Sequence, residues 1–187
     1  MDFFYFQKYT NWNKICVRML YYPIILMFKY LIFLCLIFLS SCQDKIQPTD
    51  ISSKSIQEQY LDLVNTTRAE GRKCGSEFFK AAGVVTWNNA LEKAALYHSR
   101  DMYDNKYFAH VSPKGDDPSS RVLAQNYNFK SIAENIYSAT GFSPTPSEII
   151  MQWTNSPTHC ANIMNPNFKE MAVGKYENYW TQLFGLK

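Results

Sequence analysis

The sequence lacks a hydrophobic run long enough to span a membrane. The longest uninterrupted apolar stretch, YLIFLCLIFL, covers only residues 30–39, whereas a transmembrane helix needs about 20 residues. A lysine, Lys29, precedes the stretch and two small serines follow it, an arrangement typical of a secretory signal peptide. The alternative is an uncleaved anchor over residues 20–39, although Pro23 and Lys29 interrupt that segment.

The apolar run ends in the residues Leu39-Ser40-Ser41-Cys42. This ending resembles the lipobox of bacterial lipoproteins, in which a leucine and two small residues precede a cysteine that is lipidated and becomes the new amino terminus. The resemblance implies a signal peptide over residues 1–41 and a lipid anchor on Cys42, where several acyl chains on one residue give stable attachment. An ordinary signal peptide with an incidental cysteine is the alternative.

A shorter leader that begins at Met27 contains all the parts of a signal peptide, so residues 1–26 are interpreted as a start-site artefact. After the leader, residues 42–55 are polar and include a proline, which predicts the lipidated cysteine followed by a linker. The folded domain is then expected over residues 56–187. Its length is sufficient for one ordinary hydrophobic core.

An excess of charge of one sign is also missing outside the leader. The whole chain has 19 basic and 16 acidic residues and a net charge of +3. Residues 1–41 contain four Lys or Arg and one acidic residue, which leaves 15 of each kind in the remainder. A domain without a basic excess is a poor match for nucleic acid, so no nucleic-acid partner is expected.

Cysteines are few, and their positions separate them by role. Two of the five lie in the leader and Cys42 is the predicted lipidation site, which leaves Cys74 and Cys160. One remaining pair in an oxidising compartment predicts a disulfide bond. The alternative is a reactive Cys160 thiol that acts with His159 as a cysteine protease, although sequence neighbours seldom point toward each other for proton transfer.

Hydrophobic periodicity and capping signals predict several helices and few strands. Helices are expected from Ser55 to Gly71, from Asn89 to about Asn105, within residues 117–126, and from Thr145 to a point before Pro157. Strands are expected over residues 130–139 and on both sides of a turn at Glu177 and Asn178. Helices that precede and separate strands, followed by a final hairpin, indicate an α+β fold with an antiparallel sheet.

The sequence has only three histidines, and none lies in an H-E-x-x-H metal motif. His98 lies on the apolar stripe of the second predicted helix, which favours a buried structural histidine over a ligand. His110 follows that helix, and Glu134 lies midway between it and His159 in an apolar stretch. A buried carboxylate is costly unless it is paired, so an imidazole is the expected partner of Glu134.

Four segments in order resemble one known family: ALYHSRDMYDNKYFAHVS, AENIY, MQWTNSPTHCANIM and YWTQLFG. Together they resemble the CAP domain, also called the SCP or cysteine-rich secretory protein domain, in its bacterial form. The resemblance covers residues 56–187. It implies an α+β fold, a three-layer α-β-α sandwich with a central, mainly antiparallel sheet, and a cleft shared by His110, Glu134 and His159.

In some members of that family the cleft holds a divalent metal, so the resemblance implies zinc or another divalent cation on His110, Glu134 and His159. This sequence departs from the family pattern at Ala133, where a glycine is usual, and has no second glutamate near Trp153. Three protein ligands can hold zinc with one position open. A hydrogen-bonded His–Glu–His cluster that fixes the cleft walls is the alternative.

These features predict a lipid-anchored binding or structural module of the cell envelope, outside the cytoplasm. Its expected partners are the membrane, through the anchor, and a small-molecule, lipid or peptide ligand in the cleft. The alternative is a metal-dependent, peptidase-like hydrolase in which Glu134 completes the site or acts as base on a zinc-bound water, whose pKa falls to about 7. The sequence leaves open whether the protein is an enzyme.

Overall fold

The structure, a computed structural model, describes residues 54–187. The predictions made for the leader, for lipidation at Cys42 and for most of the linker fall on residues 1–53 and lie outside the described residues. Within residues 54–187, no helix is both long enough and apolar enough to cross a membrane.

The described chain contains five helices and six strands. The helices are α1 (Ile56–Arg68), α2 (Asn89–Asn105), α3 (Pro118–Leu123), α4 (Pro146–Asn155) and α5 (Pro157–Met164). The strands are β1 (Arg72–Cys74), β2 (Glu77–Phe79), β3 (Thr86–Trp87), β4 (Ser131–Ser138), β5 (Glu170–Tyr176) and β6 (Tyr179–Leu186). The helix predicted over residues 89–105 and the final hairpin around Glu177 and Asn178 are confirmed.

The main sheet has the strand order β3-β5-β6-β4, so β4 lies at one edge. Strand β3 runs parallel to β5, whereas β5, β6 and β4 pair antiparallel. Helices α1, α4 and α5 share a hydrophobic core with one face of the sheet, and α2 and α3 share a second core with the other face. This arrangement confirms the α+β sandwich with a mainly antiparallel central sheet.

Two helices begin at the capping boxes that the sequence predicts. The Ser55 hydroxyl accepts a hydrogen bond from the Glu58 backbone N–H, and the Glu58 carboxylate accepts one from the Ser55 N–H. Thr145 and Glu148 form the same reciprocal pair at the start of α4. Each box satisfies two backbone donors that have no partner within the helix, which fixes where these helices begin.

The end predicted for the first helix is wrong by one turn. Helix α1 ends at Arg68 rather than at Gly71, because the chain turns there to form the β1–β2 hairpin. Gly71 serves that hairpin instead: a Cβ at this position would lie 2.8 Å from the Phe78 ring. The glycine therefore permits a close approach between ring and backbone rather than a helix terminus.

Helix α5 was not predicted, because Pro157 was interpreted only as the stop of the preceding helix. Pro157 is the first residue of α5, a position where proline's missing N–H costs nothing and its fixed φ suits the helix. The segment that contains His159 and Cys160 is therefore helical rather than a polar loop.

A disulfide joins Cys74 on β1 to Cys160 on α5, with the two Cα atoms 5.4 Å apart. The predicted pairing is confirmed, and it ties the small hairpin to the helix that carries His159. Gly75, at φ +65°, lets the hairpin turn pass close to the Pro157 ring. Since Cys160 is bonded, the alternative of a Cys160 thiol nucleophile is wrong for this structure.

Candidate functional site

Glu134 is the centre of a buried polar cluster on β4. Its side chain is only 2% exposed, and both carboxylate oxygens are engaged. Oε1 lies 2.8 Å from Nδ1 of His110, and Oε2 accepts a hydrogen bond of 2.8 Å from Nη2 of Arg121. The predicted imidazole partner is present, and the buried guanidinium adds a full counter-charge, which a buried carboxylate requires.

Arg121, on α3, holds the His110 loop as well as Glu134. Its Nη2 also donates to the backbone carbonyl of His110 at 2.9 Å, and its Nη1 donates to the carbonyl of Asp116 at 2.7 Å. The guanidinium is planar and presents several donors in a fixed geometry. Arg121 therefore fixes the Glu134 carboxylate relative to the backbone of His110.

His98 on α2 lies against the same carboxylate. It is fully buried, as predicted, and its Nε2 is 3.7 Å from Oε1 of Glu134, too far for a hydrogen bond. Its Nδ1 lies 3.4 Å from the hydroxyl of Tyr107. Burial lowers the pKa of His98 to about 4, outweighing the opposing effect of Glu134, so the ring is neutral at pH 7.

His159 is positioned from the opposite face of the same strand. Successive strand residues point to opposite faces, so Asn135 points away from Glu134 and toward α5. The buried Asn135 amide donates to the backbone carbonyl of His159 at 3.2 Å and to Oε1 of Gln182 at 2.8 Å. Its oxygen accepts a hydrogen bond of 2.8 Å from Asn162. Asn135 thereby fixes α5 against the sheet.

An electrostatic effect links His110 and His159. The pKa of His159 is lowered, first by burial and then by the positive charge that His110 can carry. The His110 side chain remains 49% exposed. The structure therefore places His110 in contact with Glu134 on the edge strand β4 and ties the backbone of His159 to the next residue, Asn135.

The pairing with Glu134 determines which nitrogen of His110 can bind a ligand. An ionised carboxylate only accepts hydrogen bonds, so Nδ1 of His110 is the donor in the 2.8 Å contact. In the neutral ring, Nε2 is then the acceptor. This nitrogen can accept a hydrogen bond or a proton from a bound molecule.

The cluster fits a hydrogen-bonded arrangement better than a metal cage. Within residues 54–187, no group of three or more His, Cys, Asp and Glu side chains is arranged to hold a metal ion. Both oxygens of Glu134 are already occupied, one of them by Arg121 at 2.8 Å. A metal ion on Glu134 would share this carboxylate with the positive charge of Arg121, which disfavours a cation there, so these residues do not fit the predicted three-ligand site.

Comparison with known proteins identifies the family. The model of the cysteine-rich secretory protein (CAP) family matches residues 61–184. The chain belongs to this family. Its match covers the site residues and both cysteines of the disulfide.

Two proteins of Bacillus subtilis are similar in sequence to this CAP chain. The uncharacterized protein YkwD is 34% identical over 143 residues, which are 75% of this chain and 52% of YkwD. The uncharacterized membrane protein YlbC is 29% identical over 140 residues, 75% of this chain and 35% of YlbC. The CAP chain thus spans about half of YkwD and about a third of YlbC.

Solved structures share the fold. An extracellular protein with an SCP domain from Bacillus anthracis has a TM-score of 0.58 and 27% identity, over 71% of this chain and 40% of its own. An outer surface protein of Borrelia burgdorferi has a TM-score of 0.51 and 20% identity, over 57% of this chain and 80% of its own. At that lower identity the second likeness shows the fold alone.

Sequence reasoning missed three residues of the cluster: Arg121, Asn135 and the role of His98 beside Glu134. Arg121 is the one basic residue in the predicted short helix over residues 117–126, which was a usable signal for a partner of a buried acid. Asn135 directly follows Glu134, and the alternation of a strand would have placed it on the opposite face. For His98, only the packing of α2 on the sheet brings the ring beside Glu134.

Proposed function

We propose that this CAP protein is a binding module of the cell envelope, anchored outside the cytoplasm by lipid on Cys42. Its ligand, a small molecule, lipid or peptide, binds at the cluster of His110, Glu134 and His159. One observation carries the proposal: Arg121 and His110 engage both oxygens of Glu134, which fixes the half-exposed His110 ring with Nε2, an acceptor in the neutral ring, outside that contact. A ligand with a hydroxyl or N–H donor matches this acceptor.

The proposed location outside the cytoplasm rests on three observations. A disulfide between Cys74 and Cys160 suits an oxidising compartment. Similar proteins are described as an extracellular protein, an outer surface protein and a membrane protein. The sequence before Cys42 resembles a lipobox. Together they favour export followed by attachment to the membrane surface.

The same contacts favour binding over hydrolysis. A carboxylate that acts as base on water must be within hydrogen-bond reach of that water, but the Glu134 side chain is only 2% exposed and already contacts Arg121 and His110. The sulfur of Cys160 is in a disulfide and is not a nucleophile. The metal-dependent hydrolase therefore gains no support from the described residues, and we do not propose it.

Lipid attachment is tested by growing cells that express the full chain, or its Cys42→Ser variant, with an alkyne-labelled fatty acid. Label and membrane-fraction recovery are expected for the wild-type chain and should both be lost in the variant. The Cys74→Ser variant, which keeps Cys42, is the matched control and should keep the label. Equal labelling of wild type and Cys42→Ser would refute the anchor.

Ligand binding at the cluster is tested by NMR of the histidine ring protons of the full chain. Three probes with a hydroxyl or N–H donor represent the proposed classes: N-acetylglucosamine, monopalmitoylglycerol and trialanine. One class should shift the His110 and His159 signals together, and His110→Ala should weaken its affinity about tenfold, the value of one hydrogen bond to a ligand. No shift with any probe, or peptide hydrolysis that His159→Ala abolishes, would contradict a binding role.

A further inference from the structure

A cavity lies at the tip of the β5–β6 hairpin, and none of its lining residues belongs to the histidine cluster. Its volume is about 330 Å³, and it is lined by Phe142, Ser143, Lys175, Glu177, Asn178 and Trp180. It opens on the sheet face that packs against α1 and α4, since Trp180 belongs to that core. Glu134 points to the opposite face. Sites for small molecules occupy about 300–1,000 Å³, so this cavity suits a small ligand.

Two opposite charges line this cavity without neutralising each other. Lys175 and Glu177 are both exposed, and neither forms an ion pair with any residue of the described range 54–187. Lys175 instead places its Nζ 5.4 Å from the centre of the Trp180 ring. Glu177 is a turn residue with φ +51°. Both charges are therefore available to a ligand.

Two further lining residues, Phe142 and Trp180, are aromatic. The Trp180 ring is almost fully buried, whereas Phe142, on the loop between β4 and α4, is 60% exposed. Asn178 links this loop to the hairpin, because its side-chain amide donates to the Ala139 carbonyl at 2.7 Å. The Ala139 N–H in turn donates to the Asn178 carbonyl at 3.0 Å. The two walls are thus fixed relative to each other.

We propose that this cavity binds a small zwitterion with an apolar side chain, such as a free amino acid or a short peptide. The carboxylate of the ligand pairs with Lys175, its ammonium group pairs with Glu177, and its side chain packs against the exposed ring of Phe142. A ligand with one charge satisfies only half of this arrangement. Opposite charges placed to match the ligand give selectivity between related molecules more than raw affinity.

The test compares three probes that share one phenyl ring: phenylalanine, 2-phenylethylamine and 3-phenylpropionate. Binding to the full chain is followed by tryptophan fluorescence and by NMR. Phenylalanine should bind about three- to fivefold more tightly than either singly charged probe, the factor expected of one exposed ion pair. If no probe binds with a Kd below about 10 mM, or if phenylalanine has no advantage, the proposal is wrong.

Variants test which charged group of the ligand pairs with Lys175 and which pairs with Glu177. Lys175→Met should abolish the advantage of phenylalanine over the amine, because that advantage is the carboxylate contact. Glu177→Gln should abolish the advantage over the propionate. Lys169→Met, a matched lysine that precedes β5 and donates to the Pro166 carbonyl, should change neither ratio. Thermal unfolding checks that all variants fold, and ratios that persist in both charge variants would overturn the assignment.

Discussion

The buried ring of His98 should make the stability of the domain depend on pH in a defined window. Its pKa is about 4 in the folded protein, against 6.5 for an unperturbed histidine. Between these values the unfolded chain binds a proton that the folded chain does not. Stability is therefore complete above pH 6.5 and falls as the pH decreases toward 4.

The size of the effect follows from the difference between the two pKa values. One pKa unit corresponds to 1.36 kcal/mol, so the shift of His98 from 6.5 to about 4 removes about 3 kcal/mol of unfolding free energy by pH 4. This is a large part of the stability of an ordinary domain, about 5–15 kcal/mol. His159, whose pKa is also lowered by burial, acts in the same direction.

The assay is urea unfolding of wild type and His98→Gln at several pH values from 7.5 to 4.5 (chosen to bracket the histidine range). The variant changes packing at every pH, so the informative quantity is the change in the free-energy difference with pH. Wild type should lose stability more steeply than the variant below pH 6.5. Carboxylates and His159 remain in both proteins and cancel. Parallel curves would refute a neutral, buried His98.

Further predictions concern the counter-ion, the disulfide and one glycine. Arg121→Met leaves a buried carboxylate without its counter-charge and should lower the unfolding free energy by about 3–5 kcal/mol in urea. Replacing Cys74 and Cys160 together by serine should cost about 2–5 kcal/mol, measured by thermal unfolding without reductant. Gly185→Ala would drive a Cβ into a buried tyrosine hydroxyl and should cost about 1–3 kcal/mol. Gly83→Ala, with open space around it, is the near-neutral control; equal losses would contradict the packing argument.

Elements with strong local signals could be predicted, and those that depend on tertiary contacts could not. The capping box of Thr145 and the apolar stripe that begins at Leu91 define their helices by nearest neighbours alone. Strand β3 is two residues long and is defined only by pairing with β5. A proline such as Pro157 can follow the end of one helix or begin the next. Only the packing of α5 against β1 and β4 shows that a helix begins here.

The candidate site also has a part that local sequence predicts and a part that only tertiary contacts determine. The cost of burying Glu134 in an apolar stretch required a partner, and that argument led to an imidazole. It could not select Arg121, because a carboxylate accepts from any nearby donor and the choice depends on where α3 packs. His98 was assigned to the core on its helical position, which is correct, but its proximity to Glu134 depends on how α2 packs on the sheet, which the sequence does not show.

Successive side chains of β4 point to opposite faces of the sheet, and in this way one edge strand contacts both histidines. Glu134 points to the α2 and α3 layer and holds the ring of His110, whereas Asn135 points to the α5 layer and holds the backbone of His159. A shift of one residue exchanges the faces of a strand. Inserting one alanine before Ile132 in β4, if the strand keeps its pairing with β6, would therefore separate the imidazoles. The influence of His110 on the pKa of His159, measured by NMR, should then disappear.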